Sequence, residues 1–479
     1  MAMRQRHGVL LCGVGTAVLF VAGVVAALGL SPAAVASPYD GGLSTPQEDS
    51  YYPEHGDPGI DVLHYGLDLA WNRRKEILSG TADITLRATA DDTAFQLDLG
   101  RTMDVRRVEV DGVPVPAMHR NAVLRVEHPV VADQRYDVTV QYRGKPRPVK
   151  APTSRSDEPT VGMSVTKDGQ LRTMQEPFGA FTWFPSNDQP SDKALFDLTI
   201  AAPRDWVGVS NGRLVSTSRT ATKTVTRFHL AHPVATYLTT LAVGPYVHKK
   251  ATGPHGLPLN YWLPRGTAAP YLKMLRHVPA DLRWLESKLG PYPFESAGVV
   301  VVPGDSAMET QTLVTFGRKT WNNPRQDPRE VMLHELAHQW YGDTVTPSDW
   351  RDLWLNEGMA MYLEAKWTVD HGMATWRAWL RYFRYYNKVA RAQDGGPGNY
   401  DKDTFAQACP YYCTALMYDT LSRKIGERRF WKLVRQWPQS RLDTNVDRAG
   451  FIALAEKISH KNLDPFFKDW LNSRTWPPR

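Results

Sequence analysis

The chain has 479 residues, 42% hydrophobic and only 22% charged, which excludes a disordered chain and supplies apolar material for a large packed core. Gly and Pro, 35 each without a tripeptide period, exclude collagen-like and low-complexity classes, while a mean hydropathy of -0.41 excludes a polytopic membrane protein and three cysteines are too few for a disulfide scaffold. The net charge of +7 is interleaved with acids and accompanies no recognition motif, so no nucleic-acid partner is expected.

Residues 1–7 carry Arg4, Arg6 and His7 and no acid. Residues 8–30 form an uncharged, mostly apolar run, and Ser31-Pro32-Ala33-Ala34-Val35-Ala36-Ser37 ends on small side chains. That order is a secretory signal, so residues 1–36 are read as a signal peptide cleaved after Ala36. Left uncleaved, the same run is long enough to anchor the chain in a membrane. Either way the body is expected outside the cytoplasm, secreted or held at the membrane by that helix. Residues 37–56 are read as a linker.

From 57 to 249 the apolar pattern has period two. Tyr136, Val138, Val140 and Tyr142 alternate with Asp137, Thr139 and Gln141, and Ile84 and Leu86 alternate with Thr85 and Arg87. Asp111-Gly112 and Asn211-Gly212 mark turns, so this region reads as an antiparallel β domain. The Pro-, Lys- and Ser-rich stretch 143–170 is expected to protrude from it. From 250 to 479 the pattern becomes helical: 271–289 stops at Gly290-Pro291, 299–302 is a short buried strand, and helices fill most of 328–479. The fold class is α+β.

His334-Glu335-Leu336-Ala337-His338 puts two histidines one helical turn apart on one face, able to share a cation. Asp327-Pro328 suits the helix start, with Glu330 placed to close a capping box. Glu335 sits beside the first ligand, where a carboxylate can take the proton of a water that zinc has brought towards a pKa of ~7. Glu357, with eighteen residues between it and His338, supplies the third ligand of a two-His, one-Glu site with an open position. Glu364, seven residues further on the same face, is either a group that orients a ligand histidine or a solvated carboxylate.

The stretch from His334 to Gly342, with Val345-Thr346, Trp350 and Trp354-Leu355-Asn356-Glu357-Gly358, resembles the aminopeptidase N family of zinc metallopeptidases. Gly290-Pro291-Tyr292-Pro293-Phe294 and Trp183-Phe184-Pro185 with Asp188 and Pro190 extend the resemblance over nearly all of the chain after residue 36. It implies a saddle-like β domain, a thermolysin-like, mainly helical catalytic domain, one zinc ion per chain and hydrolysis of the first peptide bond of peptides with a free amino terminus. The family's Gly-x-Met-Glu-Asn signature matches Ser306-Ala307-Met308-Glu309-Thr310, which departs from it at both ends. By resemblance, Glu309 and Glu176 hold the substrate's α-amino group and Tyr411, chosen over Tyr412 by counting back from Leu421, stabilises the oxyanion. The usual basic residue and glycine after that tyrosine are replaced by Cys413 and Thr414.

Cys409 and Cys413 flank Tyr411 and are read either as a disulfide or as two buried thiols. Many family members continue into a long helical domain over the site. The present sequence ends where the catalytic domain should, so a more open cleft is expected. Two other readings remain open, a zinc endopeptidase of the same fold and a catalytically silent surface binding protein.

Overall fold

Tyr136, Val138, Val140 and Tyr142 lie on strand Arg135–Gly144 with all four side chains buried and their polar neighbours facing out. This computed structural model describes residues 38–323 and 327–477. The stretch 1–36 expected to direct export, with Cys12, lies outside the described residues, among which no helix is long and apolar enough to cross a membrane.

The β domain is built on an eight-stranded sheet. Its order is Arg213–Arg219, Lys223–Ala235, Lys193–Pro203, Ile60–Asn72, Ile77–Ala88, Arg135–Gly144, Met103–Val110 and Val113–Pro114. All its pairs are antiparallel but one: Ile60–Asn72 runs parallel to Lys193–Pro203. The antiparallel reading holds for the other pairs; period two reports which face is buried, not which way a distant partner runs, and more than a hundred residues separate these two strands, ample for a crossover. A five-stranded sheet containing Thr160–Val165, Leu171–Met174 and Leu241–Gly244 and a three-stranded sheet of Phe95–Asp98, Val123–Val126 and Ala117–Arg120 complete the domain. Tyr65, Phe184, Phe196 and Trp183 lie in the core, each such side chain stabilising by about 1.5–3 kcal/mol on burial.

Another five-stranded sheet opens the helical part, with Pro258–Pro264, Ala297–Val302 and Val314–Gly317 paired in parallel and Ala307–Met308 at its edge. Its first strand, Tyr246–Thr252, crosses the boundary expected at 249/250. Helices Val278–Leu289, Pro328–His338, Trp354–Asp370, Thr414–Ile425 and Glu427–Gln439 pack on it around Trp340, Trp354, Trp367 and Trp437. Residues from Pro38 onwards form one compact unit.

Two stretches depart from expectation. Residues 38–56 are packed rather than a linker. Tyr51 and Tyr52 hydroxyls donate to the Tyr400 and Lys402 carbonyls, each at 2.7 Å, and the buried Asp49 carboxylate accepts from the Trp350 amide at 2.7 Å. Its polar composition hides this, because the strap is held by hydrogen bonds more than by an apolar face. The stretch 143–170 does not protrude either: Val149–Lys150 and Thr160–Val165 pair as a hairpin, from whose tip Arg155 and Asp157 line the cleft that also holds His334 and Glu357.

Candidate metal centre

Helix Pro328–His338 starts at Asp327, whose carboxylate accepts from the Arg329 amide at 2.8 Å, with Pro328 in the first turn. Glu330 does not close a capping box; it lines the cleft, and burial and Glu364 push it up to about 7. His334 and His338 project together with ring centroids 4.8 Å apart. Helix Trp354–Asp370 packs alongside and carries Glu357 in its first turn. Glu357 Oε2 lies 3.0 Å from His334 Nε2 and 3.4 Å from His338 Nε2.

The other ring nitrogens are already engaged. His334 Nδ1 sits 3.1 Å from Glu364 Oε2, and His338 Nδ1 donates to the Tyr341 carbonyl at 3.0 Å. Each imidazole thus turns its Nε2 towards Glu357, as a ligand tautomer requires. Gly342, next to Tyr341, has a φ of +134° that disfavours other residues, and a Cβ there would meet Asn356 Nδ2 at 3.3 Å and His338 Nδ1 at 3.4 Å. Burial would raise the Glu357 carboxyl, but His338 and His334 outweigh it and hold it far below its usual range, so it stays ionised. Two imidazole nitrogens and one carboxylate, all buried and within 4.8 Å of one another, are a donor set that fits zinc.

The remaining groups surround this centre in a cavity of about 890 Å³. Glu335, 7% exposed, is pushed up to about 8 by burial, with His334 opposing and Glu309 adding. Glu309 follows the edge strand Ala307–Met308, and its carbonyl accepts from Gln339 Nε2 at 2.9 Å. Gln339 Oε1 in turn accepts from Tyr292 Oη and the Thr312 amide, so the residue after the ligand helix pins the edge strand. Thr310, at the altered end of the signature, bonds Thr315 Oγ1 at 2.9 Å. Glu176 comes from the β domain. Its Oε1 and that of Glu309 are buried without a partner, and burial and then Glu309 raise the Glu176 carboxyl well above its usual value.

Tyr411 Oη donates to Glu357 Oε1 at 2.7 Å, and its ring lies nearly parallel to that of His334. Tyr412 packs instead among Tyr382, Phe383 and Tyr386. Cys409 and Cys413 are joined, with Cα atoms 4.9 Å apart. The cleft also holds Arg155 and Asp157, for which the sequence carries no signal beyond two charges in a Pro- and Ser-rich stretch.

Residues 61–238 match the description "Peptidase M1 N-terminal domain" and residues 274–470 match "Peptidase family M1 domain". The chain is 28% identical over 342 residues to aminopeptidase N of Streptomyces lividans, spanning 64% of the present chain and 38% of that protein. It is 30% identical over 274 residues to aminopeptidase N of Oryctolagus cuniculus, spanning 53% and 28%. It thus covers well under half the length of these curated relatives. Among solved structures, the M1 zinc metallopeptidase from Deinococcus radiodurans is similar with a TM-score of 0.80 at 26% identity, covering 91% of this chain and 99% of that one. A mutant of that enzyme bound to the substrate Tyr-Ser-Ala gives 0.79 over the same coverage. The two matched regions take in both the β domain and the metal helices, and the chain belongs to peptidase family M1.

Proposed function

We propose that the protein is an exported aminopeptidase that uses one zinc ion per chain to hydrolyse the first peptide bond of peptides with a free amino terminus. The observation that carries this reading is the pair of buried, unpartnered carboxylate oxygens of Glu176 and Glu309 beside the three ligands. Two such carboxylates call for a cation, and an α-ammonium between them sets the scissile carbonyl one residue along. Positioning of this kind lowers a barrier by several kcal/mol.

Bound by His334, His338 and Glu357, zinc would polarise the scissile carbonyl and acidify the attacking water. Glu335, buried in the cleft beside His334, is the carboxylate placed to take a proton from the attacking water and return it to the leaving amine nitrogen. Tyr411 leaves Glu357 and donates its hydroxyl proton to the developing oxyanion. Export is supported by the leader at 1–36 and by the joined cysteines, which suit an oxidising compartment.

The test compares a free-amine peptide with its N-acetylated twin, with and without chelator. Cleavage of the free peptide alone, lost in chelator, is expected. Equal rates on both would make the protein an endopeptidase, and no cleavage of either would leave a silent binding protein. For export, sequencing of the secreted protein should begin at Ser37.

A further inference from the structure

The hairpin tip 151–159 of the β domain is tied to the segment that leads into Tyr411. The Phe405 amide donates to the Pro152 carbonyl at 3.0 Å, and Gln407 Nε2 donates to Thr153 Oγ1 at 3.1 Å and Ser154 Oγ at 3.0 Å. Arg155 extends from this tip into the cleft. Its Nη1 donates to Tyr411 Oη and to the Ala406 carbonyl, both at 3.4 Å. Asp157 grips the other side through Nε at 3.1 Å and Nη2 at 2.6 Å, and Ser306 Oγ lies 3.4 Å from Nη2 and 3.3 Å from Asp157 Oδ2. Ser306 is the residue that departs from the family's glycine, and its hydroxyl is spent on this clamp.

From this arrangement we infer that Arg155 is a positioning residue for Tyr411. The inference rests on the aminopeptidase reading above and extends it to a residue of the other domain. A phenol has one proton and a freely turning C–O bond. With the guanidinium donating to its oxygen, the proton is directed to the other side, where Glu357 receives it at rest and an oxyanion receives it during reaction. The guanidinium also places a fixed positive charge beside the charge that develops. Asp157 and Ser306 hold the fork so that neither effect requires reorganisation.

The experiment is a double-mutant cycle on an aminoacyl anilide, with zinc content measured for every protein. Arg155→Ala is expected to lower kcat by about 10–100-fold, with KM within about twofold and zinc content unchanged. In a Tyr411→Phe background the same change should do nothing further. Arg155→Lys, which can donate to the phenol without the fork, should fall between. An equal loss in both backgrounds, or a loss carried by KM, overturns the inference and makes Arg155 an independent substrate contact. If Arg155→Ala does not fold, Ser306→Ala decides: a few-fold loss in kcat that vanishes with Tyr411→Phe supports the clamp, and an additive loss overturns it. A wild-type protein that cleaves no anilide removes the aminopeptidase reading itself and the inference with it, an outcome distinct from an active enzyme indifferent to Arg155.

Discussion

Tyr411 Oη rests on Glu357 Oε1 at 2.7 Å while Glu357 Oε2 faces both ligand histidines. One carboxylate therefore presents one oxygen to the two imidazoles and accepts the phenol's hydrogen bond with the other.

Tyr411→Phe removes the proposed oxyanion donor and keeps the ring beside His334. A loss of about 100–1,000-fold in kcat is expected, with KM and zinc content little changed. Steady-state kinetics alongside metal analysis checks this. A protein that loses its zinc instead would show that the phenol's service to Glu357 outweighs its service to the substrate.

Glu364→Ala leaves His334 Nδ1 without its acceptor. Zinc affinity should fall by about 10–100-fold, while kcat at saturating zinc stays closer to wild type. Competition titration against a chelator of known affinity reads this directly. An unchanged affinity would leave Glu364 a mere neighbour of the ring.

The ligand set is legible in the sequence because one helix carries both histidines at the spacing of a turn, and the next helix carries Glu357 in its first turn. Local periodicity encodes the histidine pair, whereas the approach of Glu357 comes from the packing of the second helix against the first. Strand Arg135–Gly144 is legible for the same reason, since alternation reports a half-buried sheet directly. Arg155 is not legible, because what makes it part of the site is a hairpin tip meeting a segment some 250 residues later in the chain, in contacts no local pattern records. The strap 38–56 is missed similarly: Tyr51 and Tyr52 dock through single hydroxyls onto remote carbonyls. The signature's departures at Ser306 and Thr310 become intelligible only once their hydroxyl partners are seen, the Arg155–Asp157 clamp for one and Thr315 for the other.

Cys409 and Cys413 are both buried and joined across the turn that presents Tyr411. Thiol titration of the denatured, unreduced secreted protein should find no free thiol if the leader has gone and one, Cys12, if it has not. Two additional thiols would disprove the bridge. Because the closed loop is short, replacing both cysteines by serine should cost only about 2 kcal/mol of stability. The larger effect is expected on kcat, through a less firmly placed phenol.

His232, on strand Lys223–Ala235 of the β domain, has Nδ1 2.8 Å from Asp443 Oδ2 and Nε2 4.0 Å from Glu295 Oε2 in the helical part. The Asp443 hydrogen bond raises the ring's pKa above its ordinary value, with burial and Lys193 opposing. A raised histidine contributes stability that is fully present below its unfolded pKa, about 6.5, and is lost as pH rises through the higher folded value. His232→Asn should therefore destabilise the protein at pH 5.5, by about 1 kcal/mol for a partly exposed pair, and scarcely at pH 9. Urea unfolding at the two pH values checks the sign. An equal loss at both would assign the effect to the ring's packing against Phe294, 5.4 Å away between centroids, and not to its charge.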